Sequence, residues 1–425
     1  MMRSFVLKDN NEVQLDGYEE VKEHPIINHL VDKNLSELEQ DGIIIFPQQL
    51  SDSVDLTNEN LIFETRSKEV WTGNVVGLLS DGEDDIRITS RFTEDSSEDY
   101  FLRHMLQTVL NYNVINTKIL SSKETSYYDL LVFLFPYYLN QAMKKGLYKE
   151  YVTRDYNDAN IKGPIDIARH LKQNVPFMGS IAYRAREFSY DNSITQLIRH
   201  TIEKTQQNYD MLLFNESVTK EHVRSIKQAT SSYSRVNRDV VIQKNIENLV
   251  KHGYYEEYTA LQTLCISILT EQKVGFGRDD KRVNGIIIDV SWLWEEYIWK
   301  VTDWKHYGRK THLPHLNLFS DPKGAPRYPD FSLGKMPIDT KYKKKLDTRN
   351  DYNQMTTYMH IMSAEKGIFL QPSINESGKK LIGKLAGLGG KMFTYKFKVP
   401  QYCVTFEEFQ EKIKEVESTL KSLKL

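Results

Sequence analysis

Residues 328–345, YPDFSLGKMPIDTKYKKK, alternate apolar and polar side chains on both sides of a Gly-Lys-Met-Pro stretch, the pattern of a ribbon folded back on itself. With Asp330–Leu333 and Ile338–Lys343 as its strands and Gly334–Pro337 as its turn, Phe331, Leu333, Ile338, Thr340 and Tyr342 point to one face. Asp330, Ser332, Asp339, Lys341 and Lys343 share the other. Pairing Leu333 with Ile338 sets Asp330 opposite Lys341 and diagonal to Asp339, at the ~5 to 8 Å of cross-strand neighbours. Two carboxylates so close repel unless a proton or a cation relieves them, and Mg2+ prefers oxygen ligands of this kind. A lysine beside them can orient water and offset charge on a phosphate. The set therefore suits phosphodiester hydrolysis; the bland alternative is a solvated strand face with ion pairs.

A chain of 425 residues is too long for one ordinary core, so two or three domains are expected. Fifty-eight acids against 56 bases leave a net charge of -2, and nucleic acid must then be met by a local patch or through a partner. Cys265 and Cys403, the only cysteines, lack metal-type spacing and fit a reducing compartment. The opening MMRSFVLKDNNEVQL turns polar too soon for a secretory segment. The longest apolar run, Leu130 to Leu139, contains Pro136 and is half the ~20 residues a membrane span needs. A cytoplasmic protein without membrane contact is the expectation.

Three textures follow one another. Residues 1–115 carry short β-like runs, IIIFPQQL, NVVGLLS and, after the acidic DGEDD, RITSRF, which describe a β-rich N-terminal domain with one or two helices. Residues 116–280 form a helical middle region, with three-and-four spacing in ITQLIRHTIEKTQQNYDMLL and YYEEYTALQTLCISILTEQ. Residues 281–425 read as an α/β unit: a helix at VSWLWEEYIWKV, the charged ribbon, a helix at DYNQMTTYMHIM, strands at KGIFLQP and MFTYKFKVP, and a last helix that opens on Thr405-x-x-Glu408. The stretch GKKLIGKL, 378–385, imitates a phosphate loop but lacks the hydroxyl residue after Lys384, so it reads as a basic loop and the chain binds no nucleotide.

The ribbon, with Pro329-Asp330, eight residues, then Asp339-Thr340-Lys341, resembles the PD-(D/E)xK nuclease signature. Trp294-Glu295-Glu296-Tyr297-Ile298 is similar to the acid-bearing first helix of that fold; Glu295 lies nearer the Trp294/Tyr297/Ile298/Val301 stripe than its rival Glu296. Gln354 and Tyr358, four apart on one helical face, match the QxxxY element of RecB-like nucleases and could brace the lysine or touch DNA. The combination PDF(x8)DTKYK, DYNQMTTY and KGIFLQP, with weaker likeness in RITSRF, YFLRHML, GPID and EFSYDNSITQLI, resembles McrC, the nuclease subunit of McrBC-type modification-dependent restriction systems.

The resemblance implies a C-terminal PD-(D/E)xK core, a mixed sheet flanked by helices, in an α+β or α/β multidomain chain. It implies an endonuclease in which Asp330, Asp339 and Glu295 hold Mg2+ or Mn2+ with the Thr340 carbonyl. Lys341 then positions water, while Gln354 and Tyr358 support it. The Thr340 side chain, where alanine is usual, is expected to point away from the site. Lys343, Lys344 and Lys345 are candidates for DNA backbone contact. The implied partners are a McrB-like AAA+ GTPase hexamer, engaged through the N-terminal region, and methylated or otherwise modified double-stranded DNA. Two other classes share these residues: a non-catalytic adaptor that stimulates a partner NTPase, and a RecB-like repair exonuclease.

Overall fold

The computed structural model describes residues 3–15, 21–34, 38, 43–47, 61–81, 84–94, 99–110, 127–214, 216–250, 253–270, 283–307, 315–387 and 389–423. The chain divides into two compact units: residues 1–112, 118–127 and 273–425 form one, and residues 113–117 and 128–272 the other. The fold is mixed α/β, with two mixed sheets and three two-stranded antiparallel ones among the described residues.

The N-terminal part of the first unit is β-rich, as its short apolar runs imply. Strand β1 (Arg3–Lys8) is followed by helix α1 (Pro25–Leu30), β2 (Ile43–Phe46), the hairpin β3 (Phe63–Arg66) and β4 (Glu69–Thr72), then β5 (Val75–Ser80), β6 (Asp84–Thr89) and α2 (Tyr100–Leu110). IIIF, VVGLLS and the RIT of RITSRF fall on β2, β5 and β6; Gln48–Leu50 and the Gly82-Glu83 of the acidic turn lie outside the described residues.

The second unit contains helices α3 (Tyr127–Met143), α4 (Ile167–Gln173), α5 (Ser193–Asn208), α6 (Ser217–Ala229), α7 (Arg238–Glu247) and α8 (Glu256–Thr270). The expectation is incomplete, because β7 (Glu150–Asp158) and β8 (Ile181–Ser189) form a long antiparallel hairpin inside it. The two strands stand as a sheet of their own, and few of their side chains are buried, so the apolar contrast that marks a half-buried strand is missing.

The chain then returns to the first unit. Strand β9 (Asn284–Asp289) enters the N-terminal sheet, whose order is β1-β6-β5-β9-β2, with β5 antiparallel and β2 parallel to it. Close approach of the backbones requires glycine: a Cβ on Gly77 of β5 would sit 2.0 Å from the Ile286 carbonyl oxygen. Helix α9 (Val290–Val301) starts directly after β9, capped by the Asp289 carboxylate, which accepts from the Ser291 and Trp292 amides at 2.8 and 3.1 Å.

A second mixed sheet follows, order β10-β13-β14-β15-β17-β16. It is built from β10 (Lys305–His306), β13 (Phe331–Leu333), β14 (Met336–Thr340), β15 (Lys366–Ser373), β16 (Gly378–Lys384) and β17 (Lys391–Lys398). A separate hairpin, β11 (Leu316–Ser320) and β12 (Lys323–Arg327), precedes β13, and helix α10 (Asn350–Ile361) makes the crossover between parallel β14 and β15. The GKKLIGKL stretch is an edge strand, β16, and not the expected loop, because β17 supplies an antiparallel partner that a reading of local residues does not see. The last helix, α11 (Phe406–Lys421), is capped by the Thr405 hydroxyl on the Glu408 amide at 3.2 Å, as Thr405-x-x-Glu408 predicts. Its Phe406, Phe409, Ile413 and Leu420 are buried.

The two sheets of this unit are tied through residues next to the charged ribbon. The Tyr342 hydroxyl lies 2.6 Å from the Ser90 hydroxyl and its ring meets Phe92 edge-on at 4.9 Å. Among the described residues no helix is long and apolar enough to cross a membrane.

Candidate active site

Strands β13 and β14 join through two residues, Gly334-Lys335, with Leu333 opposite Met336 and Phe331 opposite Ile338. The expected four-residue turn, with Leu333 opposite Ile338, is therefore corrected by two positions. Gly334 has φ 62° while Lys335 is not left-handed, the arrangement of a type II′ turn, whose twist suits a tight hairpin. A slip of two leaves every side chain on its own face. What changes is the opposite number: continued by one step, this register sets Asp330 across from Asp339 and not from Lys341.

From that ribbon a chain of contacts leads into α10. The Lys341 ammonium lies 2.7 Å from Asp339 Oδ2 and donates to Gln354 Oε1 at 3.0 Å. Gln354 Nε2 donates to the Tyr358 hydroxyl at 2.8 Å, and that hydroxyl donates to the Tyr328 carbonyl at 2.9 Å. Asp330 Oδ2 accepts from both the amide and the hydroxyl of Thr340 at 2.6 Å. The Thr340 side chain does not point away as expected; at the last residue of β14 its hydroxyl donates to the acid.

The electrostatics follow from crowding. Burial, with the charges of Asp339 and Glu295, pushes the Asp330 carboxyl well above the usual carboxylate range. Burial also raises Asp339, and the adjacent Lys341 ammonium only partly offsets it. For Lys341 burial alone would favour the neutral amine, but Asp339 and Asp330 outweigh it and hold the ammonium protonated above its ordinary value. Beside these two acids Lys341 is a hydrogen-bond donor and a positive charge.

Glu295 is turned toward this group: its charge acts on both Asp330 and Asp339, and its Oε1 lies 2.5 Å from His306 Nε2. Glu296 is buried. Lys343 is drawn to Asp351, Nζ to Oδ2 2.5 Å, while Lys344 and Lys345 are exposed. Two residues escaped the sequence reading. Asp351, whose charge reaches Asp339, stands three residues before Gln354 on the same helix face, so its spacing was readable. His306 comes from β10, which pairs with β13; no motif marks it.

Among the described residues no three His, Cys, Asp or Glu side chains form a ready metal cage. A hard cation that keeps several waters needs fewer: Mg2+ is often bound by one or two carboxylates. Asp339 Oδ1 is buried without a hydrogen-bond partner, and two repelling acids flank the position, so the residues present fit such an ion.

The family model for the McrBC 5-methylcytosine restriction system component matches residues 70–371. The chain belongs to that family. The match takes in Asp330, Asp339, Lys341, Gln354 and Tyr358, and so the whole contact chain of this McrBC-family site. No curated protein matches the sequence. Among solved structures, a chain from a half-complex of the tetradecameric assembly of Thermococcus gammatolerans McrB AAA+ hexamers with bound McrC is 13% identical, with TM-score 0.47 over 97% of this chain and 100% of that one. A chain of the T. gammatolerans McrBC complex is also 13% identical, with TM-score 0.31 over 70% and 86%.

Proposed function

We propose that this chain is the nuclease subunit of a modification-dependent restriction system, a PD-(D/E)xK endonuclease that hydrolyses DNA phosphodiester bonds. The observation that carries the reading is Lys341 held between Asp339 and Gln354, beside a second acid, in a chain of the McrBC family. Asp330 and Asp339 would hold Mg2+ or Mn2+ with the Thr340 carbonyl, and Glu295 would stand at the edge of that set. The ion, when bound, supplies Lewis-acid polarisation of the phosphate and a more acidic water.

The protein's own part is geometric and electrostatic. Asp339 accepts from Lys341 and fixes where its ammonium points; Gln354, itself fixed by Tyr358, closes the other side. That ammonium orients the attacking water and meets the negative charge that grows on the phosphoryl oxygens. Thr340 holds one oxygen of Asp330, which leaves the other for the ion. Lys343, Lys344 and Lys345 continue from the site as the proposed backbone-binding run. Recognition of the modified base and movement along DNA would come from an AAA+ GTPase partner, engaged through the β-rich N-terminal region.

Purified chain with its partner, GTP and Mg2+ is expected to linearise circular methylated DNA. Asp339→Ala should abolish cutting and leave stimulation of the partner's GTPase intact. A mutant that cuts like wild type would remove Asp339 from the mechanism, and cutting restricted to free ends would favour a repair exonuclease instead.

A further inference from the structure

The net charge of -2 conceals a local imbalance: residues 366–398 contain seven lysines and one acid, Glu376. On an edge strand such as β16, lysines commonly serve only to block pairing with other chains. Lys396 does not fit that explanation, because it lies on β17, between β15 and β16, and is half-buried.

Its place is set by register. The Lys341 amide donates to the Leu370 carbonyl at 2.9 Å, which carries the β14–β15 ladder one step past Thr340 and brings Lys341 beside Gln371. Gln371 pairs with Lys396, and Lys396 with Gly378. Lys341, Gln371, Lys396 and Gly378 thus form one row across four strands, on one face of the sheet. At ~4.8 Å between strands, Lys396 starts ~10 Å from Lys341, about three rises of 3.4 Å measured along the axis of a DNA duplex.

Gln371, 1% exposed, does for Lys396 what Gln354 does for Lys341. Its Nε2 donates to the Lys343 carbonyl at 2.8 Å, so its Oε1 faces the other way and accepts from Lys396 Nζ at 2.9 Å and from the Thr394 hydroxyl at 3.0 Å. The difference lies in charge. Lys341 and Lys343 are paired with Asp339 and Asp351, whereas the partner that fixes Lys396 is a neutral amide. Burial pushes its ammonium below the ordinary range. An ammonium held in place, with only one of its three donors spent on Gln371, is what an anionic ligand needs.

We propose that Lys396, oriented by Gln371, binds a backbone phosphate of the same DNA strand whose scissile phosphate is presented to Asp339 and Lys341. Lys398, two residues along the same face of β17, extends the track, while Lys380 on β16 shares that face and is paired with Glu376 at 3.2 Å. The assignment rests on the nuclease reading above, since it gives that site a substrate path.

The test is binding of a short fluorescent DNA duplex to the full chain, without metal, over a range of salt. Lys396→Ala should weaken binding about ten-fold at low salt, reduce the slope of log K against log salt by about one, and do so whatever the DNA sequence. Lys396→Arg should restore most of the affinity. Lys384→Ala, at the far end of the same strand pair, should match wild type, and thermal melting should show all three variants folded. Unchanged affinity and slope in Lys396→Ala, or an equal loss in Lys384→Ala, overturns the proposal. If Asp339→Ala meanwhile abolishes cutting, the nuclease reading survives that failure; if Asp339→Ala still cuts, the nuclease reading fails whatever Lys396 does.

Discussion

Gln354 can hold its amide only one way round. Its oxygen receives Lys341 and its nitrogen serves Tyr358, whose own proton is committed to the Tyr328 carbonyl. The direction of the Lys341 ammonium is therefore decided through a chain of three contacts, by a tyrosine that never meets the acids. Replacing Gln354 by leucine leaves Lys341 with Asp339 alone, and the lysine then collapses onto the carboxylate that should bind the ion. In such supporting shells a substitution commonly costs 10- to 100-fold; here Gln354→Leu should lower kcat for cutting by about ten-fold or more, with KM for DNA little changed. Gln354→Glu, which keeps an acceptor for the lysine, should lose less. A Gln354→Leu enzyme with full kcat would show that the lysine needs no brace. Much of this was legible from residue types: Asp330, Asp339, Lys341, Gln354 and Tyr358 announce themselves by spacing along a strand or a helix turn. His306 did not, because its meeting with Glu295 depends on a two-residue strand docking on β13.

Elements obey the same division between local and distant causes. Helices α9 and α10 and strands β15 and β17 were readable because their patterns are complete within a dozen residues. Strand β9 was not: Gly-Ile-Ile-Ile is as apolar as a buried helix segment, and its neighbours β5 and β2 stand some two hundred residues earlier in the chain. The register of β13–β14 failed for a smaller reason, that either two or four residues can close a hairpin and only the left-handed Gly334 decides. The junction of β9 with α9 carries a titration of its own. Burial raises the Asp289 carboxyl from 3.8 to about 6, against the pull of the two helix amides it caps. A raised folded value means that the folded state holds its proton more firmly than the unfolded one. The resulting stability is complete below pH ~4 and is lost as pH rises through ~6. Asparagine caps a helix about as well as aspartate and does not titrate. Thermal melts of wild type and Asp289→Asn between pH 4 and 8 should therefore show wild type relatively strongest near pH 4, its advantage shrinking by pH 7. A gap that stays constant, or widens with pH, contradicts a raised Asp289.

At the scale of the whole molecule, the β-rich N-terminal segment and the C-terminal segment that carries Asp330, Asp339 and Lys341 belong to one compact unit although more than 150 residues separate them in sequence. The joints are specific. Strand β9 lies between β5 and β2 and passes directly into α9, the helix that carries Glu295. Tyr342, next to Lys341, is clasped by Ser90 and Phe92. Glu417 of α11 accepts from the Tyr297 hydroxyl of α9 at 2.5 Å and lies 2.8 Å from His104 of α2. Cutting the chain before β9 would strip that strand of both neighbours and open the pocket of Tyr342; exposing one large buried aromatic side chain already costs about 3 kcal/mol, a large part of a domain's net stability. The fragment 281–425, although it contains every proposed catalytic residue, should show no cooperative unfolding transition by circular dichroism and should be cut rapidly by protease. Co-expression with fragment 1–112 should recover part of the protection, because the partners of β9 and Tyr342 return. A fragment 281–425 that melts cooperatively on its own would mean that the shared sheet and the Tyr342 clasp are dispensable, and that any signal from the N-terminal segment must reach the acids by another route.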